Sequence, residues 1–292
     1  MGLFGFSKSK RTSMRPEQAT HSHRPSSNNN RHGVGPNPPS NYYPGHPPAN
    51  TPQPPAGSDS PYSFLSQFDT IFLIDDSGSM AGRGWRETEA ALTAITPVCT
   101  QYDANGVDIV FLNHVNATTS PGTGAYHNVT MPVEIHEIFT SVSPRGGTPT
   151  GRRLNQILKP YLDELEARMR QQPGASSDTL LKPLNIIVIT DGVPTDDLES
   201  VIVGAARKLD YLNAQAWQVG IQFFQVGNEP EAAEDLRQLD DALAGQRGIR
   251  DMVDTVPWST QNGGVLSGDS ILKVVLGAVH RKYDRKNVSR RR

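Results

Sequence analysis

Short runs of consecutive apolar residues alternate along this chain with stretches in which apolar residues recur every three or four positions. An unbroken apolar run is typical of a strand buried on both faces of a sheet. Apolar residues that recur every three or four positions are typical of an amphipathic helix. One further strand, at 133–139, alternates apolar residues with Glu and His, as a half-exposed edge strand does. The predicted strands are 68–75, 107–112, 133–139, 185–191, 217–226 and 251–256. The predicted helices are 85–102, 154–169, 198–212, 229–244 and 267–282.

This order of strands and helices predicts an α/β fold with a doubly wound, mostly parallel sheet and helices on both faces. The amino-terminal segment 1–64 does not share the pattern, because it holds ten prolines between Pro36 and Pro61 among Ser, Asn and Gly. Such a composition cannot bury enough apolar surface to fold. We therefore predict a disordered, basic, Pro/Ser/Asn-rich tail at 1–64, one domain at 66–284 and a basic tail at 285–292.

Charge is distributed unevenly between these parts. The whole chain carries −2, while 1–64 carries +4 and 281–292 carries +6, so the residues between them carry −12. An acidic body repels phosphates, and the basic carboxyl-terminal run has one interleaved aromatic residue, Tyr283. No nucleic-acid partner is expected.

Cysteine usage and the amino terminus bear on location. Cys99 is the only cysteine, so no intrachain disulfide forms, which favours a reducing compartment. The start of the chain lacks the apolar core of a secretory signal. It resembles a myristoylation signal at Gly2, except that Phe6 stands where Ser or Thr is required. We expect an intracellular, cytoplasmic protein, with a nuclear location left open, and membrane contact only if Gly2 is lipidated.

Two predicted strands end in carboxylates, and a glycine-rich turn lies between them in the chain. The strand 68–75 leads into two acidic residues and two spaced serines, and the strand 185–191 ends in an aspartate. Carboxyl ends of parallel strands meet at one edge of a sheet, and hard oxygen donors suit a small divalent cation. The donors predicted to form a cation site are Asp75, Ser77, Ser79, Thr148 and Asp191. Asp76 is expected to point away from this site or to tune its loop.

These motifs resemble those of a von Willebrand factor type A (vWA) domain over about residues 66–284. Three motifs in order match a complete metal-ion-dependent adhesion site (MIDAS): Asp75-x-Ser77-x-Ser79, then Thr148 in Gly-Gly-Thr-Pro, then Asp191 in Ile-Thr-Asp-Gly. The resemblance implies a Rossmann-like fold and a magnesium or manganese ion bound by the hydroxyls, and by the carboxylates directly or through water. It also implies a protein partner whose acidic side chain completes the coordination, hence a non-catalytic module for protein–protein interaction.

Other interpretations of these residues remain. Taken singly, Asp75 and Asp191 are typical turn caps, and Thr148 before Pro149 is typical of a helix start. The chain lacks a nucleophile elbow, a phosphate-binding loop and a dinucleotide fingerprint, so no catalytic residue is predicted. His114 and His127 either flank the metal site or lie on the surface.

Two other classes of function compete with the metal-dependent module. One is a scaffold that recruits groove-bearing partners through its proline-rich arm. The other is a metal-dependent hydrolase, which would turn over phosphate or acyl esters. We expect no such turnover.

Overall fold

The computed structural model describes residues 63–103, 105–119, 123–227, 234, 236–238, 250–257 and 274–275. The strands in this part of the chain are β1 (Asp69–Ile74), β2 (Val107–Phe111), β3 (Tyr126–Val129), β4 (Leu184–Thr190), β5 (Val219–Gln225) and β6 (Val253–Pro257). The helices are α1 (Arg83–Tyr102), α2 (Pro132–Ser141), α3 (Thr150–Gln171), α4 (Ser177–Leu180) and α5 (Leu198–Tyr211). Short 3-10 helices occupy Ser63–Gln67 and Gly78–Met80. Residues 1–62, the tail 285–292 and most of the predicted helices 229–244 and 267–282 lie outside the described residues.

The strands form one sheet in the order β3-β2-β1-β4-β5-β6. Every neighbouring pair is parallel except β2 and β3, which are antiparallel. The chain builds the sheet outwards from β1 in one direction and then returns to build from β4 in the other. The strand order therefore reverses between β1 and β4, the position at which open α/β sheets bind ligands.

Two apolar cores, one on each face, hold the helices to the sheet. Successive side chains along a strand, such as Phe72 and Leu73, lie on opposite faces of the sheet and belong to different cores. The first core holds α1 and α2, and also Val274 and Val275 near the carboxyl terminus. The second core holds α3 and α5. All seven residues of β4 are buried, as its position in the middle of a two-sided sheet requires. The predicted fold class, a doubly wound and mostly parallel sheet with helices on both faces, is confirmed.

The predicted edge strand at 133–139 is wrong, because this segment belongs to the helix α2. Ile135, Ile138 and Phe139 are buried at helical spacing, whereas Val133 is 53% exposed. A segment this short fits both the alternating and the helical template. Pro132 at the first helical position favours the helix, and the Glu134 carboxylate accepts the Met131 N–H at 2.8 Å.

The edge strand is instead β3, within the segment 113–131, whose many Thr, Gly and Asn residues and lack of a regular period are typical of a loop. β3 has four residues and pairs irregularly with β2, and Asn128 takes a positive φ of 58°. So short and irregular a strand leaves no alternation to detect.

Pro160 does not break α3, which runs without interruption from Thr150 to Gln171, although a proline inside a helix removes one backbone hydrogen bond. Pro160 is exposed, so solvent can satisfy the carbonyl that loses its helical partner. Within the described residues, no helix combines the length and the apolar character needed to cross a membrane.

Candidate metal centre

The loop after β1 begins with a buried aspartate held by two strands. The Asp75 N–H donates to the Ile189 carbonyl of β4 at 2.9 Å, so this residue is still tied to the sheet. The Asp75 carboxylate accepts the Ser77 N–H at 2.8 Å and the Thr190 hydroxyl at 2.7 Å. Burial raises the pKa of Asp75, the nearby charge of Asp191 adds to that rise, and the bonds from Thr190 and Ser77 oppose it.

A line of hydrogen-bonded oxygens runs from this loop to the loop after β4. The Ser77 and Ser79 hydroxyl oxygens lie 3.0 Å apart, and the Ser79 hydroxyl donates to the Asp191 carboxylate at 2.8 Å. Ser77 and Asp191 are buried, whereas Ser79 is exposed. Four of the five predicted donors therefore share one connected cluster, which is accessible from solvent at Ser79.

Thr148, the fifth predicted donor, lies on a loop that joins the other two. The Gly78 N–H donates to the Gly146 carbonyl at 3.1 Å, which connects this loop to the loop after β1. The Thr148 carbonyl accepts the Thr195 N–H at 2.9 Å, which connects it to the loop after β4. Thr148 is 6% exposed, and in the described part of the chain no hydrogen bond joins its hydroxyl to the other four side chains. The structure thus brings the three loops together but does not bond Thr148 to the cluster.

The helix that follows Thr148 is capped by a different residue. The Asp196 carboxylate accepts the N–H groups of Gly151 and Arg152 at 2.9 and 2.7 Å, at the start of α3. The neighbouring Asp197 caps α5, its carboxylate accepting the Ser200 N–H at 3.0 Å. Asp196 instead fastens α3 to the loop after β4, which leaves the Thr148 side chain unused as a cap.

Asp76 points into the neighbouring loop rather than into the oxygen cluster. Its carboxylate accepts the backbone N–H groups of Asn113 and His114 at 2.7 and 2.8 Å. The Asn113 side-chain amide bridges the Asp76 carboxylate, at 3.2 Å, and the Gly147 carbonyl, at 2.9 Å. Asp76 and Asn113 therefore fix the loop after β2 against the loop after β1 and against the loop that precedes α3. Asn113 is not among the residues predicted from sequence, because its one distinguishing feature there is its place just beyond β2.

The two histidines considered for the rim lie at different ends of β2. His114 follows β2 at the carboxyl edge, where its Nε2 lies 3.0 Å from the Tyr126 hydroxyl. His127 belongs to β3, and its Nδ1 lies 2.7 Å from the carboxylate of Asp108, near the amino end of β2. Only His114 borders the candidate centre.

A buried arginine supports the same edge of the sheet. Arg153, 5% exposed in the first turn of α3, donates to the Phe111 carbonyl at 2.6 Å, to Gln156 at 2.7 Å and to the Thr123 carbonyl. Desolvation lowers the pKa of Arg153, and the negative charge of Asp76 opposes that shift. Sequence reasoning missed this residue because an arginine in an amphipathic helix is usually assigned to the solvent face.

The donor set fits a hard divalent cation. Its members are carboxylate and hydroxyl oxygens, the ligands that Mg²⁺ and Mn²⁺ prefer over nitrogen or sulfur. Among the described residues, no group of three or more His, Cys, Asp or Glu is placed to hold a metal ion. A cation between Asp75 and Asp191 would therefore depend on the serine and threonine hydroxyls for its remaining protein ligands.

The fold and this cluster define a class of protein: a doubly wound α/β domain with an oxygen-lined site where the strand order reverses. No family model matches the chain, and no curated protein matches it. Among solved structures, the chain is similar to a crystal structure of manganese-loaded TRAP protein from Plasmodium vivax. Identity is 14%, the TM-score is 0.34, and the match covers 66% of this chain and 70% of that one. The manganese is a property of that protein.

Proposed function

We propose that this chain is a non-catalytic protein-interaction module of the vWA type. It binds Mg²⁺ or Mn²⁺ and captures, through that ion, an acidic side chain of a protein partner. The residues assigned to the ion are Asp75, Ser77, Ser79, Thr148 and Asp191. The observation that carries the proposal is the line of oxygens from Ser77 through Ser79 to Asp191, which crosses between β1 and β4 where the strand order reverses.

Four residues in and around the cluster make hydrogen bonds that position its loops without the ion. The Asp75 carboxylate closes the loop through the Ser77 N–H, which sets the direction of the Ser77 side chain. Asp76 and Arg153 hold the loop after β2, and Asp196 holds the start of α3. When bound, a divalent cation supplies an electropositive position that a carboxylate oxygen can occupy. The exposed Ser79 marks the side from which that carboxylate would approach.

No residue at this site is proposed to be catalytic. The His114 imidazole is engaged by the Tyr126 hydroxyl, and the Asp76 carboxylate is engaged by three N–H groups. Neither group is therefore given a proton-transfer role, and no turnover of phosphate or acyl esters is expected.

Calorimetric titration with Mg²⁺ and with Mn²⁺ tests the cation site. We expect the wild type to bind one ion, and Asp191→Asn to weaken that binding at least about tenfold, because it removes one of two carboxylate ligands. Asp197→Asn is the matched control: it makes the same change of charge at an exposed residue, and Asn caps a helix as well as Asp does. Equal affinity of the wild type and Asp191→Asn, or no binding by the wild type, would contradict the proposal.

A second experiment separates partner capture by the ion from scaffolding by the proline-rich arm. The full chain and a chain lacking residues 1–62 are compared in pull-downs with Mg²⁺ and with chelator. Capture that survives the deletion but is lost with chelator supports the metal site. Capture that is lost on deletion and insensitive to chelator supports the scaffold.

A further inference from the structure

The loop after β4 presents an apolar side chain to solvent beside the candidate centre. Val193 is 46% exposed. On one side of it in the chain, Asp191 is bonded to Ser79 at 2.8 Å, and on the other, Thr195 is bonded to Thr148 at 2.9 Å. Since both ends of this short segment are tied to the centre, Val193 lies at its rim.

An arginine occupies the rim on the loop that precedes α3. The Arg145 N–H donates to the Asp76 carbonyl at 2.6 Å, and the next residue, Gly146, accepts the Gly78 N–H at 3.1 Å. These bonds hold the Arg145 backbone against the loop after β1. The residue is exposed, and within the described residues its guanidinium makes no hydrogen bond or ion pair. Arg83, by contrast, also exposed at this edge, is paired with Glu87 at 2.7 Å.

The surface between Arg145 and Val193 contains three glycines. Gly78, Gly146 and Gly147 are all exposed there. Gly146 takes a φ of +87°, which favours glycine, and an added Cβ at Gly147 would reach only the Thr195 side chain, at 3.5 Å. A partner backbone could therefore approach the centre closely, with a cation on one side of its path and an apolar side chain on the other.

We infer that Arg145 and Val193 select the residues that flank the captured acidic side chain. The partner is an extended protein segment with a carboxylate for the centre, a second acidic residue that meets Arg145 and an aliphatic residue that packs on Val193. The free guanidinium favours an acidic neighbour, and the exposed valine gains by burial. This inference rests on the proposed function and adds the chemistry of its partner.

Selection from a displayed peptide library tests the inference. The peptides carry a fixed central Asp and randomised flanks, and the full chain selects them in Mg²⁺ and, in parallel, in chelator. We expect enrichment, in Mg²⁺ alone, of Asp or Glu at one flanking position and of Leu, Ile or Val at another. Arg145→Glu should replace the acidic preference with Lys or Arg, and Val193→Asp should abolish the aliphatic preference.

Two matched controls make the same changes away from the centre. Arg207→Glu alters an exposed arginine in the second half of α5, and Val133→Asp alters a valine that is 53% exposed in the first turn of α2. Both should leave the selected sequences unchanged. If circular dichroism shows that a charged rim variant does not fold, Arg145→Gln and Val193→Ser take its place, with loss of the preference as the expected result.

The possible failures are distinguishable. If Mg²⁺-dependent peptides are selected but the rim variants select the same flanks as the wild type, the inference is overturned and the proposed function stands. If calorimetry detects the cation but no peptide depends on it, the inference and partner capture both fail, and only cation binding remains.

Discussion

The Asp76 carboxylate is predicted to hold the candidate centre together although it is not one of the proposed ligands. It is 1% exposed and accepts three N–H groups from the loop after β2. Asp76→Ala would leave the half-buried backbone N–H groups of Asn113 and His114 without an acceptor. It would also remove the negative charge that acts on the buried Arg153. We expect the free energy of unfolding to fall and the loop after β2 to separate from the loop after β1.

The size of this loss of stability follows from the two shortest hydrogen bonds to the Asp76 carboxylate, those from the backbone N–H groups of Asn113 and His114. Hydrogen bonds to a charged group contribute about 1.5–3 kcal/mol each, so the loss of both costs about 3–6 kcal/mol. In a domain of about 150–250 residues, each kcal/mol lowers the Tm by about 2–4 °C, which gives a fall of about 6–24 °C. Asp76→Asn keeps one acceptor oxygen and should lose roughly half as much.

Thermal unfolding followed by circular dichroism measures this change, with Asp163→Ala as the control. Asp163 pairs with Lys159 on the surface of α3, where both side chains are more than half exposed, so its loss should leave the Tm nearly unchanged. A Tm for Asp76→Ala equal to that of the control would refute the assignment of Asp76 as the residue that holds the loop.

Three further predictions concern packing and reactivity. Gly151→Ala should lower the free energy of unfolding by about 1–3 kcal/mol in denaturant titrations, because the added Cβ would lie 2.9 Å from the Asp197 carbonyl oxygen and 3.0 Å from the Leu198 Cα. Gly204→Ala should instead raise it by about 0.5–1 kcal/mol, since nothing lies within 4 Å of the added Cβ in α5; a loss of stability there would contradict the packing. Burial raises the pKa of the Cys99 thiol to about 12, so at about pH 8 iodoacetamide should label it only after unfolding; mass spectrometry showing labelling of the native chain would contradict its place in the core.

The parts of the fold that sequence predicts well are those in which burial is decided locally. The seven buried residues of β4 form an almost unbroken apolar run, and α5 keeps its buried residues on one face, so each pattern has one interpretation. The pattern of the segment 133–139 fits both a strand and a helix. The helix is decided by Pro132 and Glu134 at its start and by packing against the first core. The short strand β3 depends on pairing with β2 rather than on its own composition.

The same division applies to the candidate site. Ser77, Ser79 and Asp191 could be selected from sequence because oxygen donors at strand ends have a recognisable spacing. Asn113 and Arg153 could not, because each acts through carbonyl or carboxylate groups far away in the chain. Which aspartate of the pair Asp196 and Asp197 caps which helix likewise depends on where α3 begins in space.

Anomalous scattering from Mn²⁺ in a crystal of the full chain tests most directly whether three loops gather their oxygens around one ion. We predict a single strong peak beside Ser77 and Ser79, within coordination or water-bridged distance of Asp75, Thr148 and Asp191. No peak at this edge of the sheet under saturating Mn²⁺, or a peak that leaves Thr148 and Asp191 beyond the reach of a bridging water, would contradict it.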